Sequence, residues 1–562
     1  MSSLPQTLSQ EERPGRGLVS TSHRLASEAG AGILRLGGNA VDAAAAVQFA
    51  LNVVEPVASG IGGGGFSLVR LAQGETAPQA VRRAQGRLFV LDSRERAPAA
   101  ATADQFLGPD GAPIPPHERE TGGNAVGVPG VLMGHAVAVR RWGRLSLART
   151  LEPAIALAER GVPVDAFLAR RLQANLGLVG TNAATAASFL PNGRPLLEGD
   201  WLNQPDLART FRLIGEHGPD VFYRGDIAKA LAETVQSHGG RMTLDDLASY
   251  GVEFREPLYG TYRGLEIATM PPPGAGVSLL QMLGLLEHFD LASLARLGSA
   301  RAHLELQAMR LALADRAAYL ADPTYAPVPV DKLLDGNYLA ARRTLIELER
   351  LGPDPAAGTP SGLAFGHDAV TPAISLAENG QTTHFVVVDG WGNLVCCSTT
   401  IESWFGTGIT VPGYGFLLNN ELTDFDPNPG SANQVRPFAR PASSMVPTLI
   451  LREGQPLLAL GSPGGPTIVG AVLQVLLGVI DDGLSLEAAI EAPRFFAKEY
   501  PRMTWEQGLP QETLAGLIEL GHQPADEPAI IGCVQAAMRD PVDGHWMGAA
   551  DPRRDGAVII VE

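Results

Sequence analysis

The stretch QTTHFVVVDGWGNLVCCSTT, residues 381–400, decides the fold. Its run HFVVV is β-branched and aromatic and reads as a buried strand. LVCCSTT reads as a second strand. Gly392-Asn393 between them suits a tight turn, so the two make a hairpin. The polar step Gln381-Thr382-Thr383 in front of the first strand has two readings. It is the turn that feeds the strand, or one of its hydroxyls carries chemistry.

Downstream the chain stays β-rich. LLNNELTDF follows the hairpin, and VPTLILRE and LLALGS read as further strands. Helical spacing returns over about 465–480, 485–492 and 511–521, and the chain ends in the apolar GAVIIVE. Upstream, ASEAGAGILRLGGNAVDAAAAVQFALNVVEP reads as two helices broken at Gly37-Gly38, the second capped by Asn39. That second helix is apolar all round and should be buried on most sides. SGIGGGGFSLVRL reads as a Gly-rich turn running into a strand and GRLFVLD as another strand, while residues 145–160 and 301–322 have helical spacing. GGNAV recurs at 122–126 with different flanks, which is coincidence and not a repeat. Residues 1–17 read as a loose tail, and about 352–381, rich in Pro, Gly and Ala, as a flexible segment. Helices and strands alternating in blocks predict layered α/β sheets, largely antiparallel, with helices outside.

The chain has 562 residues, 45% hydrophobic and 18% charged, which is a globular composition. Its 43 Lys+Arg against 60 Asp+Glu give a net charge of −17, with no basic block to track a phosphate backbone, so nucleic acid is not an expected partner. The N-terminus lacks an apolar core of the signal-peptide kind, and no stretch reaches about twenty apolar residues, the length a spanning helix needs. A cytoplasmic protein, or a secreted one if a leader was removed, with no membrane partner is the expectation. Three cysteines make no disulfide framework. Cys396 and Cys397 are adjacent, point to opposite faces of a strand, and lack metal-ligand spacing. No metal or cofactor is expected.

Five constellations are candidates for chemistry. The run 60-GIGGGGF-66 lacks the features of a phosphate loop or a dinucleotide turn and reads as a tight, close-packed turn. A Thr382 hydroxyl becomes a strong nucleophile when a base takes its proton, and a free N-terminal amine is such a base. Thr382 is internal, so this requires a cut after Gln381; otherwise it is a strand-edge threonine. Ser443-Ser444, between two prolines, can donate to a small anion or simply cap a turn. Gly464-Gly465, between a short strand and a helix, can aim amides at an oxyanion or form a plain turn. Glu402, Glu421 and Asp424 sit in loops after two strands; gathered they suit an ammonium group, and scattered they are ordinary solvated carboxylates.

The ordered set of motifs resembles the γ-glutamyltranspeptidases, members of the N-terminal-nucleophile hydrolases. Its carriers are GGNAVDAA (37–44), SGIGGGGF (59–66), SRERAP (93–98), GVPG (127–130), LEPAIALAERGVPV (151–164), MPPPGAG (270–276) and ADRAAYLADP (314–323). QTTHFVVVD, FGTGI (405–409), LLNNELTDF (417–425), a broken RPASSM within 436–445, GSPGG (461–465) and DPRRDG (551–556) follow. The resemblance implies a four-layer αββα sandwich. It implies self-cleavage between Gln381 and Thr382 into a large part, 1–381, and a small part, 382–562, which stay together as one intertwined domain. Thr382 would be the nucleophile, Thr400 its orienting partner, and Gly464 and Gly465 the oxyanion donors. Arg94, Ser443 and Ser444 would take a substrate α-carboxylate, and Glu402, Glu421 and Asp424 its α-ammonium.

The implied activity is transfer of a γ-glutamyl group from glutathione-like donors, through a threonine ester, to water or an amine. Many members carry Asn and Gln where this chain has Glu402 and Glu421, so one acid here needs a raised pKa or a bound proton. The short span from Asp424 to Ser443 implies a lidless site. Two alternatives share the scaffold: a glutaryl or cephalosporin-type side-chain acylase, and an unprocessed, silent γ-glutamyl-binding protein.

Overall fold

The computed structural model describes residues 15–72, 87–361, 380–540 and 542–562. Two antiparallel sheets dominate. The first has seven strands in the order Ala557–Val561, Gly17–Thr21, Gly380–Asp389, Leu394–Ser403, Gly64–Leu71, Arg87–Asp92, Glu253–Arg255. The second has six: Trp546–Ala550, Gln535–Arg539, Gln455–Gly461, Thr448–Arg452, Leu265–Thr269, Leu258–Tyr262. Every pairing in both is antiparallel.

The alternation of side chains along the opening hairpin builds the layers. Val386, Val388, Leu394 and Cys396 share one apolar cluster with Ile450, Leu460 and Ala536 of the second sheet. Phe385, Val387, Val395 and Cys397 pack the other way, against the helices Arg24–Arg35 and Ala40–Val54. The sheet is thus covered on both faces, which is why its central strands read as continuous apolar runs. Helices Gly276–Leu286, Ser299–Tyr319 and Ile468–Ile480 cover the far face of the second sheet, completing four layers: helix, sheet, sheet, helix.

The hairpin pairs as expected, and the two cysteines lie on opposite faces. Asn39 caps its helix, accepting from the Val41 and Asp42 amides, and every residue of that helix is buried. The glycine run is close-packed: a Cβ on Gly63 would meet the Thr400 carbonyl oxygen at 2.0 Å, and one on Gly64 would meet Glu95 Oε2 at 2.2 Å. The expected tail is corrected at one end. Gly17 already pairs with Val561 and Asp389, because the edge of the sheet needs that strand. Residues 1–14, and 362–379 of the expected flexible segment, lie outside the described residues. Among the described residues no helix is long and apolar enough to cross a membrane.

Candidate active site

Thr382 stands one turn of pleat from the start of a central strand, buried, opposite Thr400 in the register. Its even-numbered neighbours His384 and Val386 face the second sheet, so the Thr382 side chain faces the interlayer space where the sheets part. His384 is locked beneath it: Nδ1 lies 2.8 Å from Ser398 Oγ, and burial holds its imidazole down to about 3. It is a neutral packing residue and not a base at neutral pH.

The chain from Gln381 to Thr383 is held at three points. The Thr400 hydroxyl donates to the Gln381 carbonyl at 2.5 Å, and itself accepts from the Glu402 amide at 2.8 Å. Arg554 donates to the Thr382 carbonyl at 3.0 Å and pairs with Glu55 at 2.6 Å. Ser22 bridges Glu55 to the Thr383 hydroxyl. The expected bond from Thr400 to the Thr382 hydroxyl is thus replaced by one to the carbonyl of the residue before it. With residues 381 and 382 joined, that carbonyl is the nearer acceptor.

Register slips by one residue between Thr400 and Glu402, and Glu402 takes φ 73°, a region that non-glycine residues rarely occupy. The bulge turns the Glu402 side chain into a cavity of about 230 Å³. Thr382, Thr400, Arg94, Asp424, Ser443, Ser444 and Gly465 line the same cavity. Glu421 does not: it is fully buried behind Arg94 and forms an ion pair with it. Gly464 and Gln381 face a second cavity on the other side of the Gln381–Thr382 bond.

The acids do converge. One carboxylate oxygen from each of Glu402, Glu421 and Asp424 lies within 4.8 Å of the others. Arg94 pairs with Glu421 and Asp424 and donates to the carbonyls of Pro441 and Ala442. Burial opposes its charge, but the two acids outweigh burial and hold the guanidinium above its ordinary value. The cost falls on the carboxylates. Burial above all pushes Glu402 and Glu421 well above the usual range; Arg94 only partly offsets it, and Asp424 adds repulsion to both. Glu95, likewise buried, rises to about 7.

Ser443 and Ser444 are fixed by the proline-rich loop. The Ser443 amide donates to the Pro273 carbonyl, and the Ala275 amide donates to that of Met445. Arg316, on the helix Ser299–Tyr319, donates to Ser444 Oγ at 3.2 Å and lines the cavity. Sequence reasoning missed Arg316, Arg554 and Glu55. The first two lie inside ADRAAYLADP and DPRRDG, so the signal was present without a role attached. Gly464 and Gly465 have φ 132° and 54°, and among the described residues neither amide has an acceptor. The turn thus leaves two donors beside the interlayer space, as an oxyanion site requires.

Two antiparallel sheets packed face to face between helices, with a threonine on the opening of a central strand, define the N-terminal-nucleophile hydrolase class. Within that class the chain belongs to the gamma-glutamyltranspeptidase family, whose model matches residues 26–561. It is 46% identical to a glutathione hydrolase proenzyme of Bacillus subtilis strain 168, over 97% of this chain and 91% of that one. It is 40% identical to an Acylase ACY 1 proenzyme of Pseudomonas sp. strain SE83, over 98% and 95%. In structure it is similar to a cephalosporin acylase from Bacillus halodurans, with TM-score 0.84 and 30% identity, over 100% and 99% of the two chains.

Proposed function

We propose that the protein cleaves itself before Thr382 and then acts as a γ-glutamyl hydrolase and transferase on glutathione-like compounds. The observation that carries this is the Gln381 carbonyl, held by Thr400 next to the Thr382 hydroxyl, at the rim of a cavity lined by both signs of charge. In self-cleavage Thr382 Oγ attacks that carbonyl. The C–N bond breaks, the acyl group passes to oxygen, and the nitrogen takes the proton to become an α-amine. Water then opens the ester, frees the Gln381 carboxylate and restores the hydroxyl.

The processed chain would be two parts, 1–381 and 382–562, held together. In turnover the Thr382 amine takes the hydroxyl proton as Oγ attacks the γ-glutamyl carbonyl, and the leaving amine collects that proton. The Gly464 and Gly465 amides face the oxyanion. Arg316, Ser443 and Ser444, with Arg94 behind, receive the α-carboxylate, a match for a guanidinium fork and hydroxyl donors. Glu402 and Asp424 face the α-ammonium, with Glu421 holding Arg94. Water or an amine then resolves the γ-glutamyl-threonine ester. Residues 425–428 line the cavity directly, in keeping with a lidless site open to larger donors.

Incubation of the purified chain, followed by a denaturing gel and N-terminal sequencing, tests the reading. Two fragments, the smaller starting at Thr382, and release of anilide from a γ-glutamyl anilide are expected. A chain that stays whole and inert would sink it. A second reading, a side-chain acylase for glutaryl-type groups, is favoured by the likeness to acylases in both sequence and structure. The acids around the cavity weigh against it, because such a donor has no ammonium for them. Rates on γ-glutamyl and glutaryl anilides separate the two.

A further inference from the structure

Arg94 is held through its backbone as well as through its acids. Its amide donates to Asp92 Oδ1 at 3.0 Å, and its carbonyl accepts from the Tyr250 hydroxyl at 2.8 Å. Tyr250 is buried, with its ring stacked 5.9 Å from that of Tyr223. Gly130 makes room for the hydroxyl: a Cβ there would lie 2.0 Å from the Tyr250 oxygen. Burial raises the phenol well above its ordinary pKa, so it remains a donor.

Asp92 carries the connection onward. The oxygen that accepts from Arg94 lies 3.3 Å from Arg440 Nε, and the other accepts from Arg255 at 2.8 Å. Arg440, also buried, pairs with Glu253 and donates to the Gly251 carbonyl at 2.9 Å. Its amide donates to Asp322 at 3.0 Å. The next two residues, Pro441 and Ala442, offer the carbonyls that accept from the Arg94 guanidinium, at 3.3 Å and 3.1 Å. Ser443 and Ser444 follow directly. The path therefore closes on itself: Arg94 amide, Asp92, Arg440, the loop, Arg94 guanidinium. Tyr250 touches it twice, at the Arg94 carbonyl and at Arg440, whose guanidinium lies 5.9 Å from the phenol ring. None of Asp92, Tyr250 and Arg440 is among the described residues that line the first cavity.

A buried ion network adds little net stability once desolvation is counted, but it fixes geometry. Here the geometry fixed is that of the Arg94 guanidinium against the two serines. We propose that Tyr250, Asp92 and Arg440 are positioning residues for the α-carboxylate of the donor. They touch no substrate. They set Arg94 in register with Ser443 and Ser444, and so determine how strongly a donor with an α-carboxylate is preferred over the same donor without one. Tyr250 is the member that can be read cleanly, because its hydroxyl can be removed while the ring keeps its volume and its stacking. This inference rests on the γ-glutamyl reading and deepens it.

The test compares γ-glutamyl-4-nitroanilide with 4-aminobutyryl-4-nitroanilide, the same donor lacking the α-carboxylate, on processed enzyme. Inhibition constants of L-glutamate and 4-aminobutyrate give the same comparison without turnover of the weaker compound. The parent should favour the carboxylated member of each pair. Y250F should cut that preference about tenfold through KM, with kcat within about twofold and the member lacking the carboxylate unaffected. R440K, which keeps the charge and loses the guanidinium fork, should shift the ratio the same way. Y223F removes an equally buried hydroxyl that donates to the Pro129 carbonyl instead, and should keep the parent ratio. Equal losses on both members in Y250F, or the parent ratio unchanged there, overturn the proposal while leaving the γ-glutamyl reading intact. A parent that turns over neither anilide removes the reading itself, and this proposal with it.

Discussion

The Thr400 hydroxyl donates to the carbonyl of Gln381, not to the hydroxyl of Thr382 that faces it across the strand pair. The bond proposed for cutting is therefore polarised before any attack. The Glu402 amide fixes the direction of that hydroxyl by occupying its lone pair.

Thr400→Val keeps the shape and removes the donor. Self-cleavage should slow by about 100-fold, the usual effect of losing one oxyanion-type donor. Thr400→Ser should cleave at close to the parent rate. Densitometry of full-length chain against time reads both.

Arg554 and Glu55 are both buried, and each neutralises the other. Arg554→Met strands a buried carboxylate and should cost about 3–5 kcal/mol. Adding Glu55→Gln should return a large part of that loss. Denaturant midpoints of the two single variants and the double variant measure the coupling; additive losses would contradict it.

The acid cluster makes the unliganded protein lose stability as pH rises. The Glu95 pKa is raised, chiefly by burial, from the ordinary carboxyl value to about 7, so the folded state holds a proton that the unfolded state has released. The stabilisation is complete below the unfolded pKa and is lost as pH climbs through about 7. Glu402 and Glu421, also raised chiefly by burial, act in the same direction. Thermal midpoints should fall from pH 5 to pH 8, and Glu95→Gln should flatten the slope. An unchanged slope in that variant refutes the assignment.

Gly461 lies where the second sheet crosses His384. A Cβ there would come within 2.3 Å of His384 Cε1. Gly461→Ala should destabilise by about 1–3 kcal/mol, the usual cost of overpacking, and impair cleavage by displacing the strand that carries Thr382. The midpoint of unfolding, read beside the fragment pattern, tests it.

Much of this was legible in the sequence, for identifiable reasons. The hairpin strands are buried on both faces, so their apolar runs needed no tertiary knowledge. Asn39 and the Gly37-Gly38 break are local signals and mark the helix boundaries where they fall. The hairpin Leu258–Tyr262 and Leu265–Thr269 was not singled out, because its strands are short and only partly buried. The bulge at Glu402 depends on sheet register, which no local pattern encodes. The division of the site was equally hidden. Adjacent residues Gln381 and Thr382 face different cavities, and Glu421 sits behind Arg94 instead of on the cavity wall. Both follow from three-dimensional crowding of charge, as does the recruitment of Arg316 from a helix far away in sequence.

The seven-stranded sheet interleaves the segments on either side of residue 381. Strand Gly17–Thr21 lies between Ala557–Val561 and Gly380–Asp389, and Leu394–Ser403 lies between Gly380–Asp389 and Gly64–Leu71. A cut at that point would release no domain, because every neighbour of the new end belongs to a shared ladder. On the proposed cleavage the peptide bond at 381 would serve as a tether while the chain finds its register and would be redundant afterwards. Its loss would be a one-way record that folding had finished, since two separately made pieces would each present an unpaired sheet edge and half a core.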